Sequence, residues 1–191
     1  GADLQLAELR EQVQGACLNT DIQNWTGFAA GKPPDRVGST LARYFDALVP
    51  VVYACGAHWD DKAGDGMMAL WLDRQPGPGV RASVCEAALA VGEAAERFRR
   101  AQAAQDLPTR IGVHYGPMVM DMVGAPPHFD YRAIGDPPNA AQRLQELNKT
   151  LGTRLLVSAA AMEGVVGFVH RELGCFLLRG RERDPMEVRE L

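Results

Sequence analysis

The sequence predicts a mixed α/β domain running strand, helix, hairpin, helix, strand, and three patterns carry that expectation. Leu41, Tyr44, Phe45, Leu48, Val51 and Val52 recur at helical spacing, and Val84, Ala87, Ala88, Val91, Ala95 and Phe98 form a second such stripe. Each marks a helix with one buried face. Between them Asp65-Gly66 stands among strand-like residues, a tight hairpin turn in which glycine tolerates the positive φ required. Beyond the second stripe, Ile111, Val113 and Tyr115 and then Met118, Met120 and Met122 alternate as strands do.

In chain order, residues 3–11 read as a short lead-in helix, so that 1–12 form a linker and 13–191 the domain proper. Residues 13–20 are the first strand, and Gly31-Lys32-Pro33-Pro34-Asp35 breaks the chain before the first long helix. Pro50 is expected to kink or shorten that helix. Residues 58–72 form the hairpin, and the glycines and prolines of 74–79 a loop. The alternating stretch 109–123 reads as two strands joined by a turn at Gly116-Pro117. A helix over 137–149 follows, with Asp136 as its N-cap and Pro137 as its first residue. A strand at 154–157 and a β-rich tail complete a βαββαβ ferredoxin-like pattern with C-terminal additions.

With 191 residues, 47% of them hydrophobic, the chain suits one domain with a sizeable core. A net charge of −4 gives no broad attraction for nucleic acid or anionic lipid, so any phosphate site must be local. Cys17, Cys55, Cys85 and Cys175 lack CxxC or zinc spacing and read as reduced core residues of a cytoplasmic protein. His58, His114, His128 and His170 likewise show no metal spacing, and His114 is expected to be buried. No apolar run approaches the roughly 18 residues of a membrane span, so no direct membrane contact is expected. Opening on Gly1-Ala2-Asp3, the chain is expected to be a piece of a longer protein with a sensor region upstream.

Two acids at strand ends are the candidate chemistry. Asp65 stands at the hairpin tip, and Ala16-Cys17-Leu18-Asn19-Thr20-Asp21 is an apolar run that closes on a second aspartate. A carboxylate pair of this kind suits Mg²⁺, which takes one or two carboxylates plus substrate phosphates. In order and spacing, Asp21-Ile22-x-x-Trp25-Thr26, Gly64-Asp65-Gly66, and Tyr131-Arg132-Ala133-Ile134-Gly135-Asp136-x-x-Asn139-x-x-x-Arg143 resemble the catalytic domain of class III adenylyl/guanylyl cyclases. The likeness runs from about residue 14 to the C-terminus.

That resemblance implies a nucleotidyl cyclase working as a head-to-tail homodimer with two Mg²⁺ or Mn²⁺ ions per site. Asp21, Ile22 and Asp65 fall at the metal positions, and Trp25 and Thr26 beside the triphosphate. Asn139 would orient the ribose, Arg143 would stabilise the transition state, and Arg179 of Arg179-Gly180-Arg181 would meet the terminal phosphates. Base reading would fall to Asp61 and Arg132, where adenylyl cyclases of the family typically hold lysine and often aspartate or threonine. An acid accepts from guanine N1–H and N2–H₂, and arginine pairs with guanine O6 and N7. The implied substrate is therefore GTP, with ATP as the alternative should Lys62 stand in for the missing lysine. Pro137-Pro138 and Asp121 depart from the family pattern, which keeps open a silent cyclase-homology module that dimerises or binds nucleotide without turnover. A diguanylate cyclase fits poorly, since no Gly-Gly-Asp/Glu-Glu-Phe signature is present.

Overall fold

The computed structural model describes residues 11–74, 79–101, 107–125, 128–181 and 183–191, and for 122–131 the backbone alone. The expected lead-in helix lies outside the described residues except for Glu11, which already belongs to the first strand. Among the described residues eight strands and five helices follow one another as β1 (Glu11–Ile22), α1 (Trp25–Ala29), α2 (Pro34–Ala54), β2 (Trp59–Ala63), β3 (Gly66–Asp73), α3 (Gly79–Ala101), β4 (Thr109–Ala125), β5 (His128–Gly135), α4 (Asp136–Leu151), β6 (Leu155–Ser158), α5 (Ala159–Met162), β7 (Arg171–Phe176) and β8 (Met186–Glu190).

The strands form one sheet in the order β2-β3-β1-β4-β6-β8-β7, with β5 paired to β4. Its first four strands are mutually antiparallel, which is the predicted ferredoxin-like core. β6 joins β4 in parallel after the α4 crossover, and β7 and β8 extend the sheet.

Alternation along β1 sorts its side chains between two faces. Ala16, Leu18 and Ile22 enter the main core with Tyr44, Leu48 and Val52 of α2 and Val84, Ala88 and Val91 of α3. Cys17 points the other way, into a smaller cluster with Leu70, Met118, Met120 and Ala141 of α4. The sheet is thus covered by α2 and α3 on one face and by α4 on the other. Among the described residues no helix is long and apolar enough to cross a membrane.

Three expectations are corrected. β4 does not turn at Gly116-Pro117 but runs unbroken, pairing Gly116 with Gly15 and Pro117 with Gln14. The change of phase in its apolar pattern reflects burial on both faces: Ile111, Val113 and Tyr115 fill the main core, Met118 and Met120 the smaller one. The hairpin lies further on, between β4 and β5, with Ala125 opposite His128. Pro50 does not end α2, which continues to Ala54. Asp136 is the first residue of α4 and makes no cap; Gly135 holds the cap position at φ 143°, a conformation glycine alone adopts readily.

Gly112 of β4 sets how closely α4 approaches. A methyl group there would lie 2.1 Å from the Ala141 carbonyl oxygen and 2.3 Å from the Gln145 nitrogen, so the helix backbone rests directly on the strand. Gly112→Ala is expected to lift α4 and cost about 2 kcal/mol. In a chain of this size, calorimetry would register that as a fall of roughly 4–8 °C in Tm.

Candidate functional site

Asp21 and Asp65 meet. Asp21, near the end of β1, has the parity of Cys17 and so lies on the α4 face of the sheet. The antiparallel register sets Arg110 of β4 opposite it, and Arg110 Nη2 donates to Asp21 Oδ2 at 2.6 Å. Gln145 Nε2 of α4 donates to the same oxygen at 3.3 Å. Asp65 occupies the turn between β2 and β3, beside Gly64 at φ 62°. Its carboxyl lies close enough to the Ile22 backbone N–H and to the Asp21 carboxyl for both to influence its charge.

Burial first, and then the charge of Asp21, push Asp65 above the ordinary carboxylate range, as expected when two acids share one site. Beneath them Tyr44 of α2 reaches Thr109 at 3.1 Å, and burial raises its phenol to about 12. Thr20 Oγ1 accepts the Met67 N–H at 3.2 Å. That bond ties the tip of the hairpin to β1 immediately below the acids.

A cavity of about 500 Å³ opens here, lined by Asp21, Asp65, Arg110, Lys149 and the 22–26 turn. Asn24, at φ 64°, leads that turn into the five-residue α1. Trp25 packs against Phe28 with ring centroids 5.0 Å apart and the planes tilted by 33°, which anchors the turn. Ile22 has its side chain in the core, so only its backbone faces the acids. A second cavity of about 300 Å³ shares Asp21 and is lined by Asn19, Asp61, Met68, Gln142 and Gln145.

The remaining sequence candidates lie elsewhere. Asn139 donates to the Gly135 carbonyl at 3.0 Å, and Arg143 pairs with Glu146 at 2.8 Å. Both sit on the outer side of α4, and neither lines the two cavities. Arg132 is exposed on β5, opposite the buried Asp121. Arg179 is exposed beyond β7. The Lys62 backbone N–H donates to Asp61 Oδ1 at 2.8 Å, but its ammonium pairs with Asp60, which also accepts from Tyr53 of α2 at 2.8 Å. Adjacent strand residues face opposite ways, so Lys62 belongs to the α2 face.

Arg110, Gln145 and Lys149 escaped the sequence reading. Arg110 stands 89 residues from Asp21, and only the register reveals their pairing. Gln145 carried a usable signal, being polar on the buried stripe that Ala141, Leu144 and Asn148 form along α4.

Near the start of α4, His114 sits between Ser158 Oγ at 2.8 Å and Asp136 Oδ2 at 3.0 Å, and Arg181 pairs with Asp136 and Asp184. Burial lowers the His114 pKa, against the pull of Asp136. Ser158 is itself buried and caps α5 by accepting the Ala161 N–H, so this cluster fastens elements together.

Residues 10–188 match the family model described as the adenylate and guanylate cyclase catalytic domain. The chain belongs to that family. This cyclase domain is 37% identical over 179 residues to adenylate cyclase 1 of Rhizobium meliloti strain 1021 and 26% identical over 155 residues to an adenylate cyclase of Anabaena cylindrica. Those alignments cover 92% and 78% of the chain but only 27% and 30% of the two relatives. Its fold matches the adenylyl cyclase CyaB from P. aeruginosa with a TM-score of 0.82 at 20% identity, covering 95% of this chain and 94% of that one. It matches the guanylate cyclase domain of RhGC from Catenaria anguillulae, in complex with GTP, with a TM-score of 0.79 at 18% identity, covering 94% and 96%.

Two outcomes are expected. In metal-chelated protein, Asp65→Asn relieves the repulsion with Asp21 while suiting the turn before Gly66, and scanning calorimetry should show a higher Tm than wild type. Because the folded pKa of His114 lies below its ordinary 6.5, its contribution is complete above that pH and lost as pH falls toward the folded value. Melts from pH 7.5 to 5 should therefore be less pH-dependent in His114→Gln.

Proposed function

We propose that this domain cyclises a nucleoside triphosphate, with GTP favoured, to the 3′,5′-cyclic monophosphate and pyrophosphate in signal transduction. The observation that carries the reading is the convergence of Asp21 and Asp65 at a cavity that also holds Arg110 and Lys149. Among the described residues no group of three or more His, Cys, Asp or Glu gathers. Two carboxylates beside two cations suit hard ions whose coordination is completed by triphosphate oxygens. Mg²⁺ or Mn²⁺ bound there would lower the pKa of the ribose 3′-hydroxyl and neutralise charge on the triphosphate.

In this reading the 3′-oxygen attacks the α-phosphorus and the bond to the pyrophosphate oxygen breaks. Arg110 and Lys149 hold the β- and γ-phosphates, and the 22–26 turn with Trp25 and Thr26 closes round them. Asn139 and Arg143 line neither cavity of their own chain, which supports a head-to-tail homodimer in which they serve the partner's acids. Asn139 then orients the ribose, Arg143 meets the charge that develops on phosphorus, and Arg179 reaches the terminal phosphate. Asp61 supports GTP by accepting from the guanine edge, with Arg132 as its second reader. ATP is the alternative, favoured by the two relatives named adenylate cyclase. The domain would act in the cytoplasm, joined to a sensor region of a longer chain.

Chromatography of products from ATP or GTP with Mg²⁺ or Mn²⁺ tests the substrate: cGMP is expected, cAMP selects the alternative, and neither leaves the silent module. Asp65→Ala and Arg143→Ala should each lower kcat by about 10²–10³. Equal mixing of the two inactive chains should restore roughly a quarter of the wild-type rate, since half the dimers would carry one intact site of two. No restoration would mean that each site is built within one chain.

A further inference from the structure

Arg110 approaches Asp21 in an unusual way. A guanidinium beside a carboxylate commonly forms two parallel bonds, yet here only Nη2 donates, and only to Oδ2. Arg110 Nε is buried without a hydrogen-bond partner, although the side chain is just 14% exposed. A buried N–H left in that state favours any arrangement that supplies an acceptor. The nearest remedy is a rotation of the Asp21 carboxylate that gives one oxygen to Nη2 and the other to Nε.

Gln145 opposes that rotation. Its Nε2 holds the same Oδ2 from the α4 side, and the residue is 5% exposed. The helix that carries it cannot yield, because its backbone rests on Gly112. Oδ2 is thus held between β4 and α4, and the other Asp21 oxygen stays outside the guanidinium fork.

We propose that Gln145 is a positioning residue that keeps Asp21 available to a divalent ion by preventing its capture in a two-bond pair with Arg110. The inference rests on the metal role proposed above for Asp21 and Asp65. Arg110 Nε remains open to an oxygen of an incoming phosphate, and the Asp21 oxygen left outside the fork remains open to the ion. Without the amide the one-bond pair at 2.6 Å closes into a two-bond pair, which occupies both Asp21 oxygens and which the ion must break to bind. Partners of this kind, placed behind a metal ligand, typically govern affinity by about 10–100-fold.

The test uses the full chain without nucleotide. Gln145→Met keeps the length and bulk of the side chain and removes the donor; Gln145→Leu provides a second donor-free variant. Mn²⁺ affinity is read by electron paramagnetic resonance of the free ion, and Tm in chelator reports folding. Gln145→Met is expected to weaken Mn²⁺ binding about ten-fold while folding normally. In an Arg110→Ala background, where no competing pair can form, the same change should alter the affinity less than two-fold. Wild-type affinity in both donor-free variants would overturn the proposal, as would an equal loss in both backgrounds, which would mark a general structural role. Failure of the underlying metal reading looks different: wild type would bind no Mn²⁺, or Asp21→Asn would bind it as well as wild type.

Discussion

The antiparallel pairing of all twelve residues of β1 with β4, from Glu11 opposite Met120 to Ile22 opposite Thr109, is the constraint on which the candidate site depends. It sets Asp21 against Arg110, and through Thr20 and Met67 it holds the β2–β3 turn close enough for Asp65 to join them. A slip of one residue would turn every β1 side chain to the other face. Asp21 would then enter the core among Tyr44, Ile111 and Phe98, where burying an unpaired carboxylate carries a prohibitive desolvation cost. Ala16, Leu18 and Ile22 on one face, with Cys17 and Asp21 on the other, specify the register against that alternative.

The second support is the way α4 is fastened along its length. At its start Asp136 takes bonds from His114 and Arg181, so the loop bearing Arg179 is tied to the helix bearing Asn139 and Arg143. In the middle the helix lies on Gly112, and Gln145 reaches Asp21. Near its end the buried Asn148 donates to the Ile111 carbonyl at 2.9 Å and receives Thr153 at 2.8 Å. The side chains on the outer face are therefore carried by a backbone with little freedom to tilt.

What the sequence made legible was local. Helical stripes such as Tyr44–Leu48–Val52 and the Asp65-Gly66 turn repeat within a few residues, and the ferredoxin-like order follows from them. The two acids were recognisable because each closes an apolar run or opens a turn. Contacts between distant segments were not legible: Gln145 is 124 residues from Asp21, and nothing in composition pairs them. Gly116-Pro117 misled because a break in alternation has two physical causes, a turn or a strand buried on both faces, and periodicity does not separate them. Asp136 misled because an acid before a helix usually caps it, whereas here two basic side chains claim the carboxylate.

Asp61 and Lys62 sit side by side on an edge strand only five residues long. An acid looks toward α4 and its immediate neighbour, a base, toward α2. Because facing is governed by odd and even position, a one-residue slip of β2 against β3 would turn Asp61 away from Asp21 and bring the Asp60–Lys62 ion pair round in its place, exchanging an acid for a neutral pair. The electrostatic character of that wall is thus encoded in loop length as much as in residue identity. A shift in the length of the turn that ends at Gly66 could neutralise it without altering any side chain.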